Sequence, residues 1–253
     1  MRLAPAACLL LLACMATSPG SAQTTGAPPA APATPGVDRG LAALHSGDPA
    51  QALAIFQQIM AADPNNAVAA LYAATAALVQ YNGPLAVQYA EKARQLDPQS
   101  WKIHTTLVAA YAAAGMTQQR DDERAVLEKL HAIGAPDARE ARGFLLEMFK
   151  AGSAQVSAIQ YFEPVGKFHT YYRFLVRVGE RQGSRNSEID VQSNDFDEKS
   201  WEQTHAAQAA QGERHFQLTD ANGTADYRTF SGKPDYDSIR AMVVSILQTQ
   251  PAR

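Results

Sequence analysis

The stretch GDPAQALAIFQQIMAADPNN, residues 47–66, decides how the first half of the chain is read. Pro49 opens a helix at the first-turn position, where its missing N–H costs nothing. Ala52, Phe56 and Ile59 then recur at spacings of four and three, one apolar face of a helix. Asp63-Pro64 stops it. A second Asp-Pro step, Asp97-Pro98-Gln99, follows Asp63-Pro64-Asn65 after 34 residues, and an amphipathic stretch of helix length precedes each copy. A unit of this size cannot bury its apolar face alone. Neighbouring units stack, and the stack leaves a long concave surface. Binding follows from such an architecture more readily than catalysis does.

The plan extends on both sides. Val37–Ser46 is expected as a short helix before Gly47-Asp48. The second unit has a helix over Asn66–Gln80, a turn at Tyr81-Asn82-Gly83 and a helix over Pro84–Leu96, with Ala86 and Ala93 falling 34 residues after Ala52 and Ile59. Ala90 takes the place of Phe56, and Tyr89 is available beside it. A third unit is marked by Leu107, Tyr111 and Gly115. Its second helix, Thr117–Ile133, carries Arg120 where a small residue is expected. The run Arg120-Asp121-Asp122-Glu123-Arg124 reads as solvated, and Val126, Leu127, Leu130 and Ile133 give the apolar face. A further helix is expected from Asp137, its N-cap, to Lys150. Its stripe is Phe144, Leu145, Met148 and Phe149, and it closes the stack as a cap.

Residues 47–66 closely resemble the second half of a tetratricopeptide repeat, and the resemblance extends over roughly residues 37–133. It implies an α-helical solenoid of about three repeats plus a capping helix, over residues 37–151. In such repeats Ala52 is the small residue where helices cross, Phe56 the packing knob, and Gly40 the small residue of the first helix. Arg39 departs from the leucine usual beside it. The family builds its concave face mainly from the first helix of each unit. That places Leu41 and His45, then Val68, Leu71, Thr75, Leu78 and Val79, then Lys102, Thr105, Ala109 and Ala112 on the face. The chaperone-tail binders of the family clamp a carboxylate there with several Lys, Arg and Asn residues; this chain keeps only Lys102. The implied partner is another protein, engaged through an apolar or amphipathic segment. The opposing possibility is that the chain's own C-terminal domain covers the groove.

The N-terminus reads as an address. Arg2 precedes an apolar run, Leu3–Ala16, and a short polar stretch, residues 17–22, in which Gly20 and Ala22 are placed for cleavage before Gln23. Residues 1–22 are thus expected to be a signal peptide, and the apolar run is too short to cross a membrane as a helix. Both cysteines, Cys8 and Cys14, lie inside it. Cleavage would leave a chain with neither a structural disulfide nor a thiolate metal site. The competing reading takes Leu11-Leu12-Ala13-Cys14 as a lipobox with Cys14 lipidated, which would anchor the protein in the outer membrane. Residues 23–36, with TTGAPPAAPATPG at 24–36, have no apolar period and are expected to form a Pro/Ala-rich tether.

From Ser153 the period changes to that of strands. In HTYYRFLVRVG, residues 169–179, Tyr172, Phe174, Val176 and Val178 take one face and Arg173 and Arg177 the other. Gln155–Phe162 and Glu188–Ser193 are further strands, the latter reached through residues 181–184. A hairpin joins His215–Thr219 to Ala225–Phe230 through Asp220-Ala221-Asn222-Gly223. Residues 197–211 read as a polar helix or a long loop. Tyr236–Thr249 is a helix whose Ile239, Met242, Val243, Ile246 and Leu247 form a single stripe, which needs a sheet to cover. Residues 153–251 are therefore expected to be a small α+β domain, a mostly antiparallel sheet with a C-terminal helix.

Chemistry is sparse. The chain is 46% hydrophobic and 19% charged with a net charge of −3; no basic patch stands out, so nucleic acid is an unsuitable partner. The histidines are 45, 104, 131, 169, 205 and 215, with no pair at helix-ligand spacing. His205 and His215 flank a loop with Asp195 and Asp197 nearby, but two solvated histidines account for them. No nucleophile elbow occurs. Ser231-Gly232-Lys233-Pro234 lacks the hydroxyl residue and the earlier glycine of a phosphate loop. No catalytic residue, metal or cofactor is assigned. Phe162 and Phe174 are expected in the core rather than in an aromatic binding strip with Tyr161, Tyr171 and Tyr172. Two function classes remain. The first is an exported, periplasmic interaction or assembly module of the cell envelope. The second is an enzyme or small-ligand binder whose site lies in the C-terminal domain, marked by a polar pocket lined by His169, His205 or His215, with the repeats as a docking arm.

Overall fold

The computed structural model describes residues 35–166, 170–178, 185–192, 199, 203–204, 206–207, 215–220, 228–231 and 235–249. The chain divides after Ala141 into a helical unit and an α+β unit.

The helical unit has six described helices: α1 Pro35–His45, α2 Pro49–Ala62, α3 Ala67–Val79, α4 Gly83–Leu96, α5 Trp101–Ala113 and α6 Thr117–Ala132. Each packs against the next, and α3 also touches both α1 and α5. The 34-residue period is built into the backbone. α2, α4 and α6 begin at residues 49, 83 and 117, and α3 and α5 at 67 and 101. The turn before each of α2, α4 and α6 places Gly47, Tyr81 and Gly115 at positive φ, 76°, 58° and 72°. Two of the three residues are glycine because a left-handed backbone costs an L side chain ~1 kcal/mol or more; Tyr81 is the exception. The following residue caps the helix: Gln51 N–H donates to Asp48 Oδ1 at 2.9 Å, and Leu85 N–H to Asn82 Oδ1 at 3.2 Å. Met116, the third in the series, makes no side-chain cap. Asn66 caps α3 through Ala69 N–H.

The core of this unit is lined by small residues. Ala52, Ala86, Ala90 and Ala93 are fully buried, which lets the helix backbones approach closely. Phe56, 0% exposed, fills the space left between α1, α2 and α3 and stacks on Tyr72 with ring centroids 5.7 Å apart.

The α+β unit is a six-stranded antiparallel meander in the order β1-β2-β3-β4-β5-β6. The strands are β1 Gly143–Ala151, β2 Ala154–Val165, β3 Thr170–Val178, β4 Arg185–Gln192, β5 His215–Asp220 and β6 Arg228–Ser231, followed by α7 Tyr236–Thr249. The alternation expected along β3 is present: Tyr172, Phe174 and Val176 are buried and Arg173 and Arg177 half-buried, with Val178 exposed at the end. Ile189 and Val191 are buried together on β4. α7 turns Tyr236, Ile239, Val243 and Ile246 inward. The turns expected at residues 181–184 and 221–223, and most of residues 197–211, lie outside the described residues, as do residues 1–34 with the expected signal peptide, Cys14 and nearly all of the tether.

Two expectations are corrected. No capping helix covers residues 137–150: residues 136–140 are turn, and Gly143–Ala151 is β1, paired along its length with β2. The register slips between Leu145 and Glu147, a bulge that inserts one extra residue. Phe144, Leu146, Met148 and Phe149 are consequently all buried, and Leu145, expected on the helical stripe, is half-buried. The run Arg120–Arg124 is not solvated throughout. Arg120 and Glu123 are buried, whereas Val126 and Ile133, expected in the core, are exposed, Ile133 by 69%. The face of α6 that packs is Arg120, Glu123 and Leu127.

Candidate functional site

The residues expected to line an inner face divide by exposure. Val68, at the start of α3, is 50% exposed, and Lys102, one period later at the start of α5, is exposed. His45 is exposed at the end of α1, its Nδ1 2.7 Å from the Leu41 carbonyl. Leu41, Val79, Thr105 and Ala112 are half-buried. Leu71, Thr75, Leu78 and Ala109 are buried, Leu71 to 8% exposure. Thr75 Oγ1–H donates to the Leu71 carbonyl at 3.1 Å and Thr105 Oγ1–H to the Lys102 carbonyl at 2.9 Å, so neither hydroxyl is left without an acceptor. The exposed members of the set are therefore His45, Val68 and Lys102, with Val68 and Lys102 one 34-residue period apart.

A second polar constellation was not legible as such. It lies between α4, α5 and α6. Tyr111 O–H on α5 donates to Glu91 on α4, which also pairs with Arg94 at 2.6 Å. Burial and then the bond to Glu91 raise the Tyr111 hydroxyl well above its ordinary range, so it stays protonated. His104, also on α5, faces Glu123 on α6 with Nδ1 and the Pro98 carbonyl with Nε2 at 3.0 Å. The bond to Glu123 raises the imidazole pKa above the usual histidine value, against burial and the nearby Arg94. Arg120, on the same buried face of α6, pairs with Asp121 at 3.0 Å. No local pattern in the sequence links Tyr111 to Glu91 or His104 to Glu123, because the two members of each pair come from different helices. The one available signal was Arg120 standing where the earlier units have Ala52 and Ala86.

The α+β unit carries two further polar groupings. On one face Arg173 is held bidentate by Asp190 across the β3–β4 pair, both N–O distances being 2.8 Å, and Arg177 donates to Gln155 at 2.9 Å. These arginines are engaged by neighbouring strands. On the other face Glu147 is buried and accepts from Tyr236 O–H at 2.6 Å and Arg240 Nε–H at 2.7 Å, with the Arg240 guanidinium over the Phe149 ring. Tyr236 lies against Phe174 at 6.4 Å, ring planes nearly parallel. This grouping fastens α7 to the sheet. Phe174 is fully buried and Phe162 half-buried, its ring 5.3 Å from Phe144.

His169 and His205 lie outside the described residues, and of His215 only the backbone, in β5, is described. Among the described residues no group of three or more His, Cys, Asp or Glu is placed to hold a metal ion. No described helix is long and apolar enough to cross a membrane. Neither a family model nor a curated protein matches this chain.

Proposed function

We propose that this protein is an exported tetratricopeptide-type module that binds a segment of another protein in the cell envelope, with no catalysis of its own. The observation that carries this reading is the shared 34-residue period of helix starts and left-handed turns, at residues 49, 83 and 117 and at 47, 81 and 115. Stacked helix pairs of this period are a scaffold for holding an extended or helical segment. The contact surface is the accessible part of the inner face: Leu41, His45, Val68, Val79, Lys102 and Thr105, around Val68 as its apolar centre. Buried Leu71, Thr75 and Leu78 support it from within. Export through residues 1–22 delivers the module to the periplasm; lipidation of Cys14 would instead tie it to the outer membrane through the tether.

The test is co-isolation from envelope extracts with tagged, full-length protein. Val68→Glu should abolish recovery of the partner while leaving the melting transition in place. Ala54→Glu, on an exposed position of α2, should leave recovery unchanged. Recovery insensitive to both changes would remove the inner face from consideration.

A further inference from the structure

α6 is held unlike the other helices of its unit. α2 buries Ala52, Phe56 and Met60, and α4 buries Gly83, Ala86, Ala90 and Ala93. α6 buries Arg120, Glu123 and Leu127, two charged residues against one apolar side chain. Its attachment therefore rests on polar partners, and the central one is His104. That ring is itself buried, and both of its nitrogens face acceptors: the Glu123 carboxylate from α6, and the Pro98 carbonyl from the turn between α4 and α5. A carbonyl and an ionised carboxylate can only accept. A neutral imidazole has one N–H and satisfies one of them. Both bonds form together only while the His104–Glu123 pair holds one extra proton, whichever of the two carries it. Among the described residues, Arg94 lies near the ring, opposes an imidazolium and is itself paired with Glu91 on α4; Tyr111 on α5 lies near Arg94 and Glu123, and Arg120, paired with Asp121, shares the buried face of α6 with Glu123.

We propose that α6 is a proton-controlled latch: closed while the His104–Glu123 pair keeps its proton, and released as a unit, ahead of α3 and α4, when rising pH removes it. Release would bare the side of α5 against which α6 packs and so open a new apolar surface at the end of the helical unit. The direction follows from linkage. The folded-state pKa of His104 is raised, so the stabilisation is complete below the unfolded value and is lost as pH rises through the folded one. On losing the proton, Glu123 is left buried beside a ring with one donor too few.

Hydrogen exchange on the full chain, corrected for the intrinsic pH dependence of exchange, tests this from about pH 6 to about pH 9, the interval above an ordinary histidine pKa. In the wild type, peptides from residues 117–132 should lose protection as pH rises, by about tenfold for each unit separating the folded from the unfolded His104 pKa, while peptides from residues 67–96 keep theirs. His104→Gln has no proton to lose. Its α6 protection should be flat across the range and close to the wild-type value at the alkaline end. Glu123→Gln should be flat as well. A flat wild-type profile overturns the proposal, as does a His104→Gln profile that falls like the wild type. If neither variant folds, NMR titration of the wild-type His104 ring decides: the ring must titrate over the interval in which α6 loses protection, and titration elsewhere overturns the latch.

Discussion

Gly40 and Phe56 occupy one space: a Cβ built on Gly40 would lie 2.4 Å from Cε1 of the Phe56 ring. The ring is fully buried and stacked on Tyr72, so it has nowhere to retreat. The first three helices meet at this contact. Phe56→Ala should cost ~3–5 kcal/mol by leaving a cavity, and Gly40→Val should cost at least ~1–3 kcal/mol by overpacking. Urea unfolding measures both. A double-mutant cycle with Gly40→Ala and Phe56→Leu should be less than additive, since the smaller side chain makes room for the new methyl. Additive costs would mean the two residues do not compete for that space.

The sheet unit should depend on α7 in the same direct way. Ile246→Asp places a charge at a buried position and should cost more than the ~2–5 kcal/mol of a large-to-small core change. Tyr236→Phe removes one of two donors to buried Glu147 and should cost ~1–3 kcal/mol. Thermal melts that match the parent in both variants would mean that α7 is not docked on the sheet.

The parts of the fold legible in the sequence are those written in local spacing. The sequence puts helix starts at Pro49, Pro84 and Thr117, and the helices begin at 49, 83 and 117. Strand alternation placed Tyr172, Phe174 and Val176 inward, and the stripe from Ile239 to Leu247 gave α7 its bounds. Residues 137–150 were misread because the apolar positions 144, 145, 148 and 149 are a helical stripe, and the bulge at Leu145/Glu147 lets a strand bury a similar set. Only pairing with β2, a non-local fact, separates the two. Arg120 and Glu123 were misread for the same reason. A run of charges looks solvated until His104, 19 residues before Glu123, supplies a buried partner. The residues expected on an inner face follow from the repeat pattern alone, and that pattern does not give their exposure, since exposure depends on what packs around α3 and α5.

That exposure sets a contrast between two neighbours on α3. Leu71→Glu should destabilise the helical unit by ~2 kcal/mol or more, because its site is buried. Val68→Glu should change stability by less than ~0.5 kcal/mol, because its site is half open. Equal midpoints in denaturant for the two variants would contradict the division of the inner face into an accessible rim and a buried support.

Export is tested by the mass of the native protein. Cleavage before Gln23 should give a mature chain lacking both Cys8 and Cys14, one charge more negative than the full chain. A diacylglyceryl-modified Cys14 at the N-terminus would establish the lipid-anchored form instead. An intact Met1 in the cytosol would refute both.

The central claim, that Val68 and Lys102 face a bound protein segment, is tested most directly by site-specific photocrosslinking in living cells. A photoreactive residue at position 68 and, separately, at position 102 should yield the same crosslinked partner, since the two sites lie one 34-residue period apart on α3 and α5. The same residue at exposed position 54 on α2 should yield none. Absence of any adduct at 68 and 102, or one partner captured equally from position 54, would contradict the account.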